Sequence, residues 1–307
     1  MLRRLSGRRS RPRNNALFDE AFMAKLEYLD IVAKKAFLGS MRGERRSKKL
    51  GAGLEFADHR RYSPGDDFKN IDWNVYARMG RLLIRMYEEE EDLYVYLIVD
   101  SSRSMALGDQ LKFDYARKLA AALAYITLSN MDRVSIIPFR AAIQQDAMLR
   151  PTRGKAQIFR VFESLTALEA SGSTGLHQAC RSFVHQTKRR GLVVVISDFY
   201  DPEGYEDGLN LLRYHRFEPF VLHLTDEREL QPALRGDVML VDCETGQQRA
   251  VTLTPRVLGK YRIAHQKWCE ELENFCKKRQ LSYFQTPVQV PFDELMLRIF
   301  RAGGFLR

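Results

Sequence analysis

The sequence predicts an α/β protein: a mainly parallel sheet with one antiparallel edge strand, sandwiched by helices in three layers, behind a small N-terminal β-rich subdomain. Three observations predict it. From Leu93 onward, short apolar runs alternate with stretches of helical periodicity, the pattern of strand–helix–strand units. Two of those runs, 94–99 (YVYLIV) and 192–197 (LVVVIS), are apolar almost throughout, as strands buried on both faces must be, and they lead into Asp100 and Asp198. Residues 50–90 instead carry turn signals, Ser63-Pro64-Gly65-Asp66 above all, and too little apolar periodicity for a core of their own.

Element by element, Leu17, Phe22, Leu26, Leu29 and Phe37 recur near helical spacing, so one amphipathic helix is expected within 16–37. Residues 39–49 read as a basic loop, either a solvated linker or a contact for an acidic partner or lipid surface. The acidic run Glu88–Asp92 reads as a solvated entry to the first sheet strand. A helix over 109–128 places Leu111, Tyr115, Leu119, Ala122 and Ile126 on one side. Two strands are expected next, at 133–139 and 142–149, then helices near 155–168 and 175–188. The 192–197 strand leads to a helix at 203–214 and a strand at 217–224. Residues 238–242 and 249–254 flank Glu244-Thr245-Gly246 as a hairpin, and a long helix (256–279), a strand (282–285) and a last helix (292–302) follow.

At 307 residues the chain exceeds the roughly 100–200 of a usual domain, which suggests one large domain with an appendage. The division expected is a disordered basic tail (1–15), a helix with the small β-rich subdomain (16–90), and the main domain (91–307). The formal charge of +10 would suggest a polyanionic partner, but residues 1–49 hold 14 Lys/Arg against 5 Asp/Glu and the remainder 35 against 34. The basic character therefore lives in the N-terminal arm, which argues against a nucleic-acid-binding face on the main domain. Cys180, Cys243, Cys269 and Cys276 form no CxxC pair, which fits a reducing compartment. No apolar run approaches the roughly 18–20 residues that cross a bilayer, and the Arg-rich start lacks a signal-peptide core, so a cytoplasmic protein is expected.

The chemistry concentrates at the strand ends. In open sheets of this kind ligands sit beyond the carboxyl ends of the strands, and two strands ending in Asp point to one shared site. Asp100-Ser101-Ser102-Arg103-Ser104 is a D-x-S-x-S arrangement, and its spacing of two can converge one carboxylate and two hydroxyls. Ser171-Gly172-Ser173-Thr174-Gly175 is a small-residue loop opening a helix, so the Thr174 hydroxyl can approach closely. Two carboxylates and three hydroxyls suit a hard dication that keeps waters in its remaining positions, Mg2+ or Mn2+.

In that order, Asp100, Ser102, Ser104, Thr174 and Asp198 resemble the metal-ion-dependent adhesion site of von Willebrand factor A domains. The resemblance implies a von Willebrand factor A-like (Rossmann-like) fold, a bound magnesium ion, and coordination of a partner's acidic side chain rather than catalysis. The alternative is an empty site in which Ser102 and Ser104 cap the following helix. Upstream, Leu54–Asp58, Arg61-Tyr62-Ser63-Pro64-Gly65-Asp66-Asp67, Ile71-Asp72-Trp73, Arg81-Leu82 and Tyr87–Glu90 resemble the bacterial family termed domain of unknown function fifty-eight, over roughly 35–300. Family members commonly occur beside MoxR-type AAA+ ATPases, which implies an adaptor or chaperone-like partnership. On the residues themselves, Pro64-Gly65 is a turn, Asp66 or Asp67 its cap and Trp73 a buried aromatic; the competing reading docks a partner on Arg61, Asp66, Asp67, Asp72 and Trp73.

Three rival functions have weaker support. Phosphoryl transfer by an aspartate nucleophile needs a second acid two residues on, where this chain has Ser102. Nucleotide binding lacks GxGxxG and GxxxxGK[ST] loops. Nucleic-acid binding through the N-terminal arm lacks a stacking-aromatic motif. His265, Cys269 and Cys276 share a helix stripe, but Trp268, Leu272 and Phe275 beside them favour core packing over a zinc site.

Overall fold

The computed structural model describes residues 17–40, 50–51, 55–88, 93–106, 111–232, 234–292, 294–296 and 298. The N-terminal part contains α1 (Glu20–Ser40), β1 (Leu50–Gly51), β2 (Glu55–Arg61), α2 (Trp73–Met79) and β3 (Leu83–Glu88). The sheet domain begins with β4 (Tyr94–Asp100), α3 (Leu111–Ser129), β5 (Arg133–Phe139), β6 (Leu149–Arg153), α4 (Ile158–Thr166), α5 (Leu176–Gln186) and β7 (Leu192–Ser197). It continues through α6 (Glu206–Tyr214), β8 (Glu218–Thr225), α7 (Glu227–Leu230), β9 (Gly236–Val241), β10 (Gln248–Leu253), α8 (Pro255–Lys278) and β11 (Ser282–Pro287). Residues 292, 294–296 and 298 are helical. The expected tail (1–15), most of the basic loop and residues 89–92 of the acidic run lie outside the described residues.

Six strands form the main sheet in the order β11-β8-β7-β4-β5-β6. Every pairing is parallel except β5 with β6, so the sheet is the expected one: mainly parallel, with a single antiparallel edge. Its helices lie on both faces, in three layers. The centre is β4, where the strand period of two sends Val95, Leu97 and Val99 into one core and Tyr96 and Ile98 into the other. All five are buried, and each aliphatic one contributes on the order of 1.5–3 kcal/mol by leaving water. The first core is closed by α3, α4 and α1, the second by α5, α6 and α8. Helix α3 is buried almost all round, from Phe113 to Leu128, because α1 and α4 cover the sides turned away from the sheet. Phe22, Leu26 and Leu29 of α1 thus belong to the main core.

The small piece forms its own antiparallel sheet, β1-β3-β2. Three sequence expectations need correcting. Residues 73–79 form a helix, because Asp72 accepts from the N–H groups of Asn74 and Val75 at 3.0 and 3.1 Å and caps it. Trp73, expected inside, is 59% exposed and meets Tyr76 edge-on at 6.1 Å. The edge strand runs over 149–153 rather than 142–149: Ile143 makes only a bridge to Phe139, and Gln145–Ala147 is a 3-10 turn. An edge strand has one neighbour and tolerates Pro151, so β6 carried no apolar signature.

Candidate metal centre

The chain passes from β4 to β5 on one side and returns at β7 on the other, so β4 and β7 are neighbours and open a crevice at their carboxyl ends. Asp100 ends β4 there, fully buried. Its Oδ1 accepts from the N–H of Ser102 at 2.9 Å. Its Oδ2 accepts from the Ser197 hydroxyl at 2.6 Å and lies 3.4 Å from Thr174 Oγ1. The hydroxyls of Ser102 and Ser104 lie 3.0 Å apart in the turn that follows. Ser104 belongs to the 3-10 turn Arg103–Ala106, and its hydroxyl and that of Ser102 answer each other.

Thr174 reaches Asp100 across 74 residues because its loop is pinned to the first one. Ser171 N–H donates to the Ser101 carbonyl, and Arg103 N–H to the Gly172 carbonyl, each at 3.0 Å. Gly172 takes φ 75°, and a Cβ on Gly175 would stand 2.6 Å from the carbonyl oxygen of Ala141. Both glycines are therefore steric requirements of this close approach. Beyond the loop, Asp201 accepts from the N–H of Leu176 at 2.7 Å and supplies the cap that α5 lacks locally.

Asp198 follows β7 and is fully buried. Its Oδ2 accepts from Lys112 Nζ at 2.7 Å, and the same ammonium reaches Glu229 Oε1 at 2.5 Å. Phe199, next in sequence, adopts φ 58°, a left-handed conformation unusual for a bulky residue and a mark of local strain beside the site. Burial, and then the charge of Asp198, push the Asp100 carboxyl above its usual range. Burial pulls the Lys112 ammonium down, but Asp198 and Glu229 outweigh it and hold the group charged.

Asp100, Ser102, Ser104 and Thr174 thus form one linked set, with Asp198 at the adjoining strand end and partly neutralised by Lys112. Lys112, Ser197, Glu229 and Glu244 join the same region, and none was read from the sequence as a site residue, Glu244 only as part of a hairpin turn. A signal existed for Lys112: it lies four residues before Ala116 and seven before Leu119, on the stripe that packs inward, where a charge requires a partner. Of the five residues considered for partner docking, three have structural duties. Asp66 accepts from Arg60 and from the N–H of Ser63, Asp67 caps the 3-10 turn Phe68–Asn70, and Asp72 binds Arg85 and His59 besides capping α2. Arg61 and Trp73 are exposed. Cys269 and Cys276 are buried, with the half-buried His265 hydrogen-bonded to Tyr200 at 2.9 Å.

The donor set fits a small hard cation in kind: every donor is a carboxylate or hydroxyl oxygen, and one buried carboxylate oxygen, Glu244 Oε1, has no hydrogen-bond partner among the described residues. Among those residues no three His, Cys, Asp or Glu side chains cluster as metal ligands, so the hydroxyls would have to complete the coordination.

The family profile described as "Protein of unknown function DUF58" matches residues 58–268. The chain belongs to the DUF58 family. This DUF58 chain is 28% identical over 240 residues to "Uncharacterized protein Rv1480" of Mycobacterium tuberculosis, spanning 77% of this chain and 75% of that one. It is 36% identical over 66 residues to "Uncharacterized protein MAV169" of Mycobacterium avium, spanning 22% and 38%. Among solved structures it is similar to the conserved hypothetical protein BatB of Bacteroides thetaiotaomicron, with 13% identity, a TM-score of 0.42, and coverage of 69% of this chain and 97% of that one. An aerotolerance-related membrane protein of Bacteroides fragilis gives 18% identity, a TM-score of 0.38, and coverage of 68% and 98%. No helix among the described residues of the DUF58 chain is long and apolar enough to cross a membrane.

Proposed function

We propose that this DUF58 protein is a non-catalytic binding module that holds Mg2+, or Mn2+, through Asp100, Ser102, Ser104, Thr174 and Asp198. Through the metal it engages an acidic side chain of a partner protein. The observation that carries the reading is the convergence of Asp100, Ser102, Ser104 and Thr174 at the end of β4, linked within 3.4 Å of one another along the set. Two carboxylates already crowd that crevice, so a further carboxylate would be repelled unless a cation lay between them. The metal, when bound, supplies an electrophilic position that accepts an anionic oxygen from outside.

The protein's own residues set the terms. Ser102, Ser104 and Thr174 offer short neutral ligands that leave charge on the cation. Ser197 and the N–H of Ser102 orient Asp100, and Lys112 orients Asp198. The resemblance to von Willebrand factor A adhesion sites supports the metal, and the family's association with MoxR-type AAA+ ATPases supports such an ATPase as partner. A partner that consumes ATP puts the encounter in the cytoplasm.

The test is a Mn2+ titration followed by electron paramagnetic resonance of the free ion. We expect one saturable site in the wild-type protein and none in Asp100→Ala, whose circular dichroism stays unchanged. Association with the AAA+ ATPase should then disappear on chelation. Equal Mn2+ affinity in the variant would refute the assignment, and metal-dependent hydrolysis of phosphate esters would replace it with the enzymatic one.

A further inference from the structure

The hairpin β9–β10 stands away from both cores: all of its strand residues are exposed or half-exposed, Met239, Leu240 and Val241 included. A two-stranded hairpin of this kind has little stability by itself. Its turn is nonetheless firmly built. Asp242 Oδ1 accepts from the N–H groups of Glu244 and Thr245 at 2.9 and 2.7 Å, and Gly246, at φ 72°, returns its N–H to the Asp242 carbonyl at 3.0 Å. An Asx-type turn of this sort presents the side chain two residues on in a defined direction.

That side chain is Glu244, and it reaches the candidate metal centre. The N–H of Thr174 donates to Glu244 Oε2 at 3.1 Å, 70 residues away in sequence. Oε1 is sealed from solvent and has no donor among the described residues. A carboxylate oxygen removed from water without a hydrogen bond is costly, and such an oxygen in a native site calls for a missing partner. The surroundings say which sign that partner carries. A cleft of about 270 Å³ separates the hairpin tip from the strand ends, and Ser104, Glu229, Asp242 and Glu244 all line it. Lys112, the ammonium that reaches Glu229 at the wall of this cleft, is already shared with Asp198. Three carboxylates line this cleft, a lining that favours a cation over a neutral donor as the partner of Glu244.

We propose that Glu244 becomes an internal acidic ligand of the metal centre when the cation binds, drawn onto it from its place beside the Thr174 N–H, with the hairpin tip then holding the position that an incoming carboxylate must take. The inference rests on the metal-binding reading above. A tethered carboxylate competes at high effective concentration, so a free carboxylate of similar chemistry cannot displace it. Only a partner that also lifts the hairpin, through its exposed apolar strand residues, gains the cation. The site is self-covered and opens on engagement.

The experiment measures Mn2+ affinity and water-proton relaxation of bound Mn2+ in the wild-type protein, Glu244→Gln and Asp100→Ala, with acetate as the probe ligand. Glu244→Gln keeps the side chain's size on an exposed hairpin, so the fold survives. It should weaken Mn2+ binding by about tenfold or more, raise the relaxation enhancement as water replaces the carboxylate, and let acetate lower that enhancement again. In the wild-type protein acetate should change nothing. Equal affinity and equal enhancement in the wild-type protein and Glu244→Gln, with binding lost in Asp100→Ala, would overturn the role of Glu244 and leave the metal centre standing. No Mn2+ binding by the wild-type protein would overturn both.

Discussion

Lys112 Nζ lies 2.7 Å from Asp198 Oδ2, and the lysine is only 2% exposed. An ammonium is seldom buried so deeply, and here α3 carries it to the strand end where Asp198 and Glu229 receive it. The crevice therefore holds a built-in cation beside the place where a second one is proposed. The first holds Asp198 in position through Oδ2, so that Asp198 faces the second together with Asp100 and the hydroxyls.

Replacing Lys112 with Met should cost on the order of 3–5 kcal/mol, the usual penalty for leaving buried carboxylates without their partner. Urea unfolding monitored by circular dichroism measures it directly. Millimolar Mg2+ should restore part of the loss. An unchanged midpoint would mean that the ion pair does not form.

Gly175→Ala should act on the site through the backbone alone. The new Cβ would press on the Ala141 carbonyl at 2.6 Å, so the loop carrying Thr174 must move away from Asp100. Overpacking of this kind costs about 1–3 kcal/mol. Mn2+ affinity should fall along with thermal stability, and a fall in stability with affinity intact would show that Thr174 is no ligand.

His223 gives the pH dependence. It is fully buried, donates to or accepts from the Tyr283 hydroxyl at 2.9 Å through Nδ1, and packs edge-on against Phe199 and Trp268. Burial, followed by the charges of His265 and Lys112, lowers its pKa from 6.5 to about 3. The unfolded chain thus binds the proton first, and stability present above the unfolded value is lost as pH falls from that value towards the folded one. The slope contributed approaches about 1.4 kcal/mol per pH unit in that window. Denaturation of wild-type protein and His223→Phe at pH 7 and pH 5 isolates it: the gap between the two should shift in favour of the variant at the lower pH.

Leu26→Ala tests where α1 belongs. The side chain is fully buried in the core shared with α3, so truncation should destabilise the sheet domain by about 2–5 kcal/mol. A separate early unfolding phase, with the main transition unmoved, would instead show that α1 folds apart from it.

Trp73→Ala, by contrast, should change stability by no more than about 0.5 kcal/mol, as expected of an exposed side chain. Its loss should remove the solvent-exposed part of the tryptophan fluorescence. A large destabilisation would restore the buried reading of this residue.

Much of the layout was legible along the chain. The apolar runs at β4 and β7, each closing on an aspartate, announced a buried parallel sheet because strands covered on both faces must be apolar at every position. The hairpin around Glu244 was equally readable. What misled was signal that depends on neighbours: β6, with one partner strand, had no apolar pattern, and Trp73 looked like core because aromatic residues usually are.

By itself, then, the sequence determined the layered sheet and the two aspartates at adjoining strand ends, since periodicity and strand polarity are local properties. Only the tertiary structure decided that Lys112 neutralises Asp198, that Ser197 holds Asp100, and that the hairpin brings Glu244 to Thr174. Those relations join residues 70 to 97 positions apart. Electrostatic pairing depends on distance in space, which the order of residues along a chain does not specify until the chain has folded.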